Sequence, residues 1–197
     1  MDVRLRSEHR GQVARITLPA GQEVTVEADH FMAASHHISP EPQKKRFGGF
    51  FDSSSGDRLR MRAQTQQGWV DVSGTFPGEV VTLQVRPDNG YLVPYRLWLA
   101  YDGEITVQRI EAGESDLGFA HDRVSGHGTL LLASYGTTET LTLSAGEKIL
   151  VRTGNALAIN SSLQYRLRAD IRAFEFTGPG RVLVQSRNID ELRRAML

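Results

Sequence analysis

Six histidines, a basic triplet running into phenylalanines and a cluster of aromatic rings are the residues of this chain best suited to chemistry. The histidines are His9, His30, His36, His37, His121 and His127. A mononuclear metal site built on strands needs two histidines one residue apart, a carboxylate and a distant histidine, because strand alternation aims positions i and i+2 at one centre. No His-x-His occurs here. His36 and His37 are adjacent, so on a strand they point to opposite faces. His121 and His127 are separated by a stretch that includes Gly126. Surface or turn histidines are the expectation, with no metal and no cofactor. Without cysteine, disulfides, thiolate metal sites and cysteine nucleophiles are all excluded. No Gly-x-Ser-x-Gly elbow is present. Ser73, Ser134 and Ser186 recur at similar places, which suits a structural role better than a nucleophile needed once. No phosphate-cradling Gly-x-Gly-x-x-Gly opens a helix. No catalytic residue is assigned.

The candidate interaction loop is Lys44-Lys45-Arg46 followed by Phe47, Phe50 and Phe51, inside an insertion spanning residues 39–57. Loops this long are commonly functional or disordered. Cations beside exposed rings can grip phosphates and stack bases. They can also sit at a lipid interface, each cation adding about 1 kcal/mol at an anionic surface. The plainer expectation packs the rings onto the domain or a partner subunit. Tyr91, Tyr95, Trp98 and Tyr101 form a second aromatic group. It could bind a ring or sugar, but core or interface packing is the commoner use of such residues.

The elements that must position these groups are strands. Val81, Leu83 and Val85 alternate with polar neighbours, as do Leu163, Tyr165 and Leu167, and Ile105 and Val107. A period of two places each set on one face of a strand. Leu130-Leu131-Leu132-Ala133 is apolar on both faces and reads as a central strand. Two signals recur three times in the same order. A turn glycine before a strand stands at Gly21, Gly78 and Gly146, and a strand-opening glycine stands at Gly68, Gly128 and Gly180. This pattern predicts one β unit triplicated, over about 12–74, 75–135 and 136–188. Units of that size cannot each bury a core alone, so a single domain over 1–197 is expected. Near the C-terminus, Asn188 and Glu191 have capping-box spacing, which predicts a short helix over 189–196.

Charge is balanced at 23 basic and 23 acidic residues. That gives no global attraction to nucleic acid or to an anionic membrane, so nucleic acid is not an expected partner and peripheral membrane contact has no support from net charge. The start of the chain lacks a signal-peptide pattern and no apolar run reaches membrane-span length, which predicts a cytoplasmic protein.

Gly126-His127-Gly128-Thr129-Leu130-Leu131-Leu132-Ala133-Ser134-Tyr135-Gly136, Val151-Arg152-Thr153-Gly154-Asn155-Ala156-Leu157-Ala158 and the ending Phe176-Thr177-Gly178-Pro179-Gly180 to Gln185-Ser186-Arg187-Asn188 carry a resemblance. This run resembles the altered-inheritance-of-mitochondria family, over roughly residues 12–188. The resemblance implies a fold like that of the tryptophan RNA-binding attenuator protein, a variant of the double-stranded β-helix with internal pseudo-symmetry. It implies no catalytic residues. Members often carry longer glycine-rich segments, whereas Ala169-Asp170-Ile171-Arg172 is compact here.

The combined expectation is an all-β, barrel-like domain of three pseudo-repeated units with a short C-terminal helix. Its expected role is a non-catalytic binding or scaffolding protein acting as a homo-oligomer, with a protein partner possible, because strand edges and exposed phenylalanines need cover. The alternatives are a cupin-like small-molecule binder or metal-dependent enzyme using the histidines, and an RNA-binding ring.

Overall fold

The computed structural model describes residues 1–8, 11–43, 46–47, 50–51, 58–188 and 191. The predicted helix over 189–196 lies outside the described residues, apart from Glu191, which is helical. Among the described residues, twenty strands and two short 3-10 turns make an all-β fold of antiparallel sheets. No described helix is long and apolar enough to cross a membrane.

The strands fall into three sets along the sequence. The first is β1 (Asp2–Glu8), β2 (Gly11–Leu18), β3 (Glu23–Glu27), β4 (Phe31–Ala34), β5 (Ile38–Gln43), β6 (Arg46–Phe47), β7 (Phe50–Phe51), β8 (Arg58–Ala63) and β9 (Gly68–Ser73). The second is β10 (Val80–Val85), β11 (Tyr91–Pro94), β12 (Trp98–Tyr101), β13 (Glu104–Ile110) and β14 (His121–Ala133). The third is β15 (Thr138–Leu143), β16 (Lys148–Arg152), β17 (Ala156–Asn160), β18 (Gln164–Arg168), β19 (Ala173–Thr177) and β20 (Gly180–Gln185).

Pairing repeats from set to set. In the first, β2 and β4 flank β9, while β3 and β5 flank β8. In the third, β15 and β17 flank β20, while β16 and β18 flank β19. In the second, the long strand β14 takes the place of both central strands. Its first part pairs with β11 and β13, its last part with β12, and β10 also pairs with it. Each set then lends one strand to the set before it: β12 pairs with β3, and β17 pairs with β11.

Contacts divide the chain into two compact units. One comprises Met1–Leu83, Trp98–Gly103 and Gly128–Ala133; the other comprises Gln84–Leu97, Glu104–His127 and Ser134–Leu197. The first unit buries Ala14, Ile16, Val70 and Val72 of the sheet β1-β2-β9-β4 together with Val24, Val26, Met61, Leu99 and Leu131. The second buries Val151, Phe174 and Phe176 together with Ala156, Ile159, Val182 and Leu92. On strands such as β10 and β13 alternation sends every second residue inward, whereas β12 and β17 are buried throughout.

Turn chemistry sets the strand starts. Gly21 and Gly146 adopt φ of 80° and 77°, a left-handed region that costs glycine little and other residues more. Gly78 instead precedes β10. By pairing, the turn Pro87–Gly90 between β10 and β11 stands where the Gly21 and Gly146 turns stand. Gly68, Gly128 and Gly180 each lie three residues before a residue opposite a β-bulge, at Asp71, Leu131 and Leu183.

Candidate interaction surface

The bulges give each set a common local structure. In β4 the register shifts between Phe31 and Ala33, in β12 between Trp98 and Ala100, and in β17 between Ala156 and Ala158. A bulge inserts one residue opposite a single partner and turns its side chain aside. The inserted residues are Met32, Leu99 and Leu157, and each stands in an aliphatic-alanine pair: Phe31-Met32-Ala33, Trp98-Leu99-Ala100 and Ala156-Leu157-Ala158. Leu99 and Leu157 are 0 % exposed, whereas Met32 is 59 % exposed.

The residue opposite the bulge changes in the same way. Leu131 and Leu183 are buried hydrocarbons, but the matching position in the first set is Asp71, also buried. A buried carboxylate is costly unless it is paired and hydrogen-bonded. Arg15 supplies two bonds, Nε to Oδ1 at 2.8 Å and Nη2 to Oδ2 at 2.8 Å. Arg6, on β1, donates from Nη2 to Oδ2 at 2.8 Å. Burial works to raise the Asp71 carboxyl, but the bonds and charges of Arg15 and Arg6 outweigh it and hold the group below the usual carboxylate range. The Arg15 guanidinium also lies 3.8 Å from the centre of the Trp69 ring, a cation–π stack. The sheet β1-β2-β9-β4 therefore carries Arg6, Arg15, Trp69 and Asp71 locked together, with exposed Phe31 and Met32 on its edge strand.

A second exposed apolar group stands on the other unit. Leu150 on the edge strand β16 is 57 % exposed, and Ile171 in the turn between β18 and β19 is also exposed. Leu150 pairs with Glu175, and Lys148 and Arg152 share its exposed side of the strand.

The described histidines do not converge. Among the described residues no group of three His, Asp or Glu side chains is placed to hold a metal. His9 lies outside the described residues. The His36 and His37 rings meet at 3.6 Å, tilted by 49°, and Gln66 approaches the His37 ring nitrogens at 2.5 and 2.6 Å. His127 is exposed and His30 is buried.

His121 is buried against Phe119, whose ring meets it edge-on at 6.4 Å. Its Nδ1 contacts Ser115 Oγ at 3.0 Å and the Phe119 carbonyl at 3.4 Å. A carbonyl only accepts, so Nδ1 fits the protonated position, and His121 then donates to Ser115 rather than withdrawing its proton. Ser115 Oγ also accepts from the Leu117 amide at 3.1 Å. This pair ties down the loop before β14 and is not arranged as a nucleophile and base. His121 Nε2 is buried without a hydrogen-bond partner among the described residues, and burial pushes the imidazole below its ordinary value. Beside it the Tyr165 hydroxyl donates to Asp116 at 2.6 Å; burial first, then Asp116, drives that phenol upward.

Ser73, Ser134 and Ser186 all bond the main chain. Ser73 donates to the Gln12 carbonyl at 3.4 Å and Ser134 to the Gly136 carbonyl at 2.8 Å, while Ser186 accepts from the Thr137 amide at 3.0 Å. Of the aromatic group, Trp98 and Tyr101 are buried with ring centroids 5.5 Å apart. Tyr91 is buried as well, and Arg109 lies over Tyr95 at 3.5 Å. Lys44 and Lys45 lie outside the described residues. Arg46 and Phe47 form β6, paired with Phe50 and Phe51 of β7.

Sequence reasoning missed Met32 and Asp71. The signal was present as the thrice-repeated Met-Ala or Leu-Ala pair, followed in each set by a glycine-anchored strand whose fourth residue is Asp71, Leu131 or Leu183.

Residues 3–187 match the family described as mitochondrial biogenesis AIM24, and the chain belongs to that family. A crystal structure of a Streptococcus pyogenes protein has the same fold: TM-score 0.78 at 17% sequence identity, covering 99% of this chain and 97% of that one. No curated protein matches the chain.

Proposed function

We propose that this member of the AIM24 family is a cytoplasmic, non-catalytic scaffolding protein that works as a homo-oligomer. One observation carries the reading: the large apolar side chains left exposed among the described residues are Leu5, Phe31, Met32, Leu150 and Ile171, and four of them stand on sheet-edge strands. Leu5 is on β1, Phe31 and Met32 on β4, and Leu150 on β16. An unpaired edge with apolar residues is a template for another strand, and proteins that stay monomeric usually blunt such edges with charge, proline or a covering segment. The carboxylate of this surface is already satisfied by two arginines, which gives it a structural task.

Light scattering on the eluting protein, across a range of loading concentrations, tests the reading. A mass that is a fixed multiple of the 21.9 kDa chain supports it. A single-chain mass at every concentration would sink it.

A further inference from the structure

Resting on the homo-oligomer reading, we propose that copies of this chain join head to tail, β4 of one copy adding antiparallel to the free edge of β16 in the next.

The chain makes this joint twice within itself. Strand β3 takes β12 on its edge, with Val26 opposite Ala100 and Thr25 opposite Tyr101. Strand β11 takes β17, with Leu92 opposite Ile159 and Tyr91 opposite Asn160. In both cases the added strand is the bulged one. Strand β16 is the third member of the accepting series: Gly146 precedes it as Gly21 precedes β3, and a 3-10 turn follows each, Thr153–Asn155 after β16 and Ala28–His30 after β3. Strand β4 is the third member of the adding series, with the same bulge and the same alanine. Among the described residues β16 pairs only with β19, and β4 only with β9. One acceptor and one donor of the same joint are therefore left over in every copy.

Side-chain exposure marks the same two strands. Leu99 and Leu157, the bulge residues of the two strands that make these joints, are buried, and their counterpart Met32 is exposed. Leu92, on the accepting strand β11, is 8 % exposed, and its counterpart on β16, Leu150, is 57 % exposed. The joint would cover both. It also fixes a register: Val151 opposite Ala33 and Leu150 opposite Ala34 of the next copy. Because the two faces differ, the interface is heterologous, so the assembly is a closed ring or an extending chain and not an isologous pair. The donor strand is short and carries no proline or charge to block addition.

The chain has no cysteine, so engineered thiols report cleanly. Protein carrying Ala34→Cys is mixed with protein carrying Leu150→Cys under mild oxidation. Opposed residues in antiparallel strands lie within disulfide reach. The expected result is a covalent species of twice the chain mass in the mixture and none with either protein alone. Leu5→Cys mixed with Leu150→Cys is expected to stay uncrosslinked. Met32→Asp, at an exposed position that cannot unsettle the fold of one chain, is expected to reduce the light-scattering mass to that of a single chain. A wild-type protein that is itself a single chain removes both the scaffold reading and this joint. A wild-type oligomer that gives no mixed crosslink and keeps its mass with Met32→Asp removes only the joint. Crosslinking of either single-cysteine protein to itself would point to an isologous interface and overturn the head-to-tail arrangement.

Discussion

Replacing Asp71 by asparagine and, separately, by leucine asks whether the first set holds its carboxylate for stability. Three bonds to charged donors, all at 2.8 Å, converge on it. Each such bond is worth about 1.5–3 kcal/mol when neither partner can turn to water. The guanidinium groups are partly wet, with side chains 30% exposed for Arg15 and 45% for Arg6. They would rehydrate after the substitution, so the sum must be discounted heavily. We expect Asp71→Asn, which keeps the shape and loses the charge, to cost about 2 kcal/mol. For a chain of this length that is a fall of roughly 4–8 °C in Tm. Leucine stands at the matching positions 131 and 183, and burying it recovers about 1.5–3 kcal/mol of apolar transfer. Asp71→Leu is therefore expected within about 1 kcal/mol of the parent. The assay is urea unfolding at matched protomer concentration, because association would add its own stability. A loss under about 0.5 kcal/mol for asparagine, the ordinary range of surface changes, would refute the electrostatic account. Leucine proving worse than asparagine would refute the equivalence of the three positions.

Two further outcomes follow from other parts of the molecule. Burial lowers the His121 imidazole below its unfolded value, so folding stability is complete above about pH 6.5 and declines as pH falls toward the folded-state value. Thermal melts between about pH 7 and pH 5 are expected to show that decline, and His121→Gln to flatten it; identical slopes would exclude His121 as its source. Gly126→Ala places a Cβ against the Glu104 carbonyl oxygen at a φ of 111°, and is expected to cost at least about 2 kcal/mol in urea unfolding, with little change if the strands can separate locally.

The strands were legible because alternation is a local property. Val81, Leu83 and Val85, for instance, announce a one-sided strand without reference to any partner. The turn of the second set was not legible in the same way. Pro77-Gly78-Glu79 copies the chemistry of the other two turns, yet the turn that pairing puts in their place is Pro87–Gly90, a hairpin with Arg86 bridged to Asn89. Turn chemistry names the residues that tolerate a bend, whereas equivalence is decided by which strands then pair, and that is a non-local fact. The same limit hid the surface. Asp71 reads as an ordinary polar residue of an alternating strand, and only the partners at positions 6 and 15 show that it is buried and satisfied. Of the candidate loop, the sequence names the residues, and the described part of it is the short ladder of β6 and β7.

A series of strand sets that share strands with their neighbours has an end problem that an isolated set does not. Each joint consumes one donor strand and one acceptor edge, so three sets linked in series make two joints and leave one of each over. Such ends are normally finished with polar capping residues. Here the donor end carries Met32 where its repeats bury leucine, and the acceptor end carries Leu150 where its repeat buries Leu92. The donor end is not unmodified, however. Asp71 stands where the other sets have the buried Leu131 and Leu183, and Arg6 reaches it from β1, the strand that pairs along β2 and has no counterpart beside β15 among the described residues. The carboxylate is held by two arginines, so the sheet that carries the exposed Phe31 and Met32 is tied together beneath them. In the proposed joint, the hydrocarbon at the bulge and the charge beside it would face the free edge of β16 in the next copy.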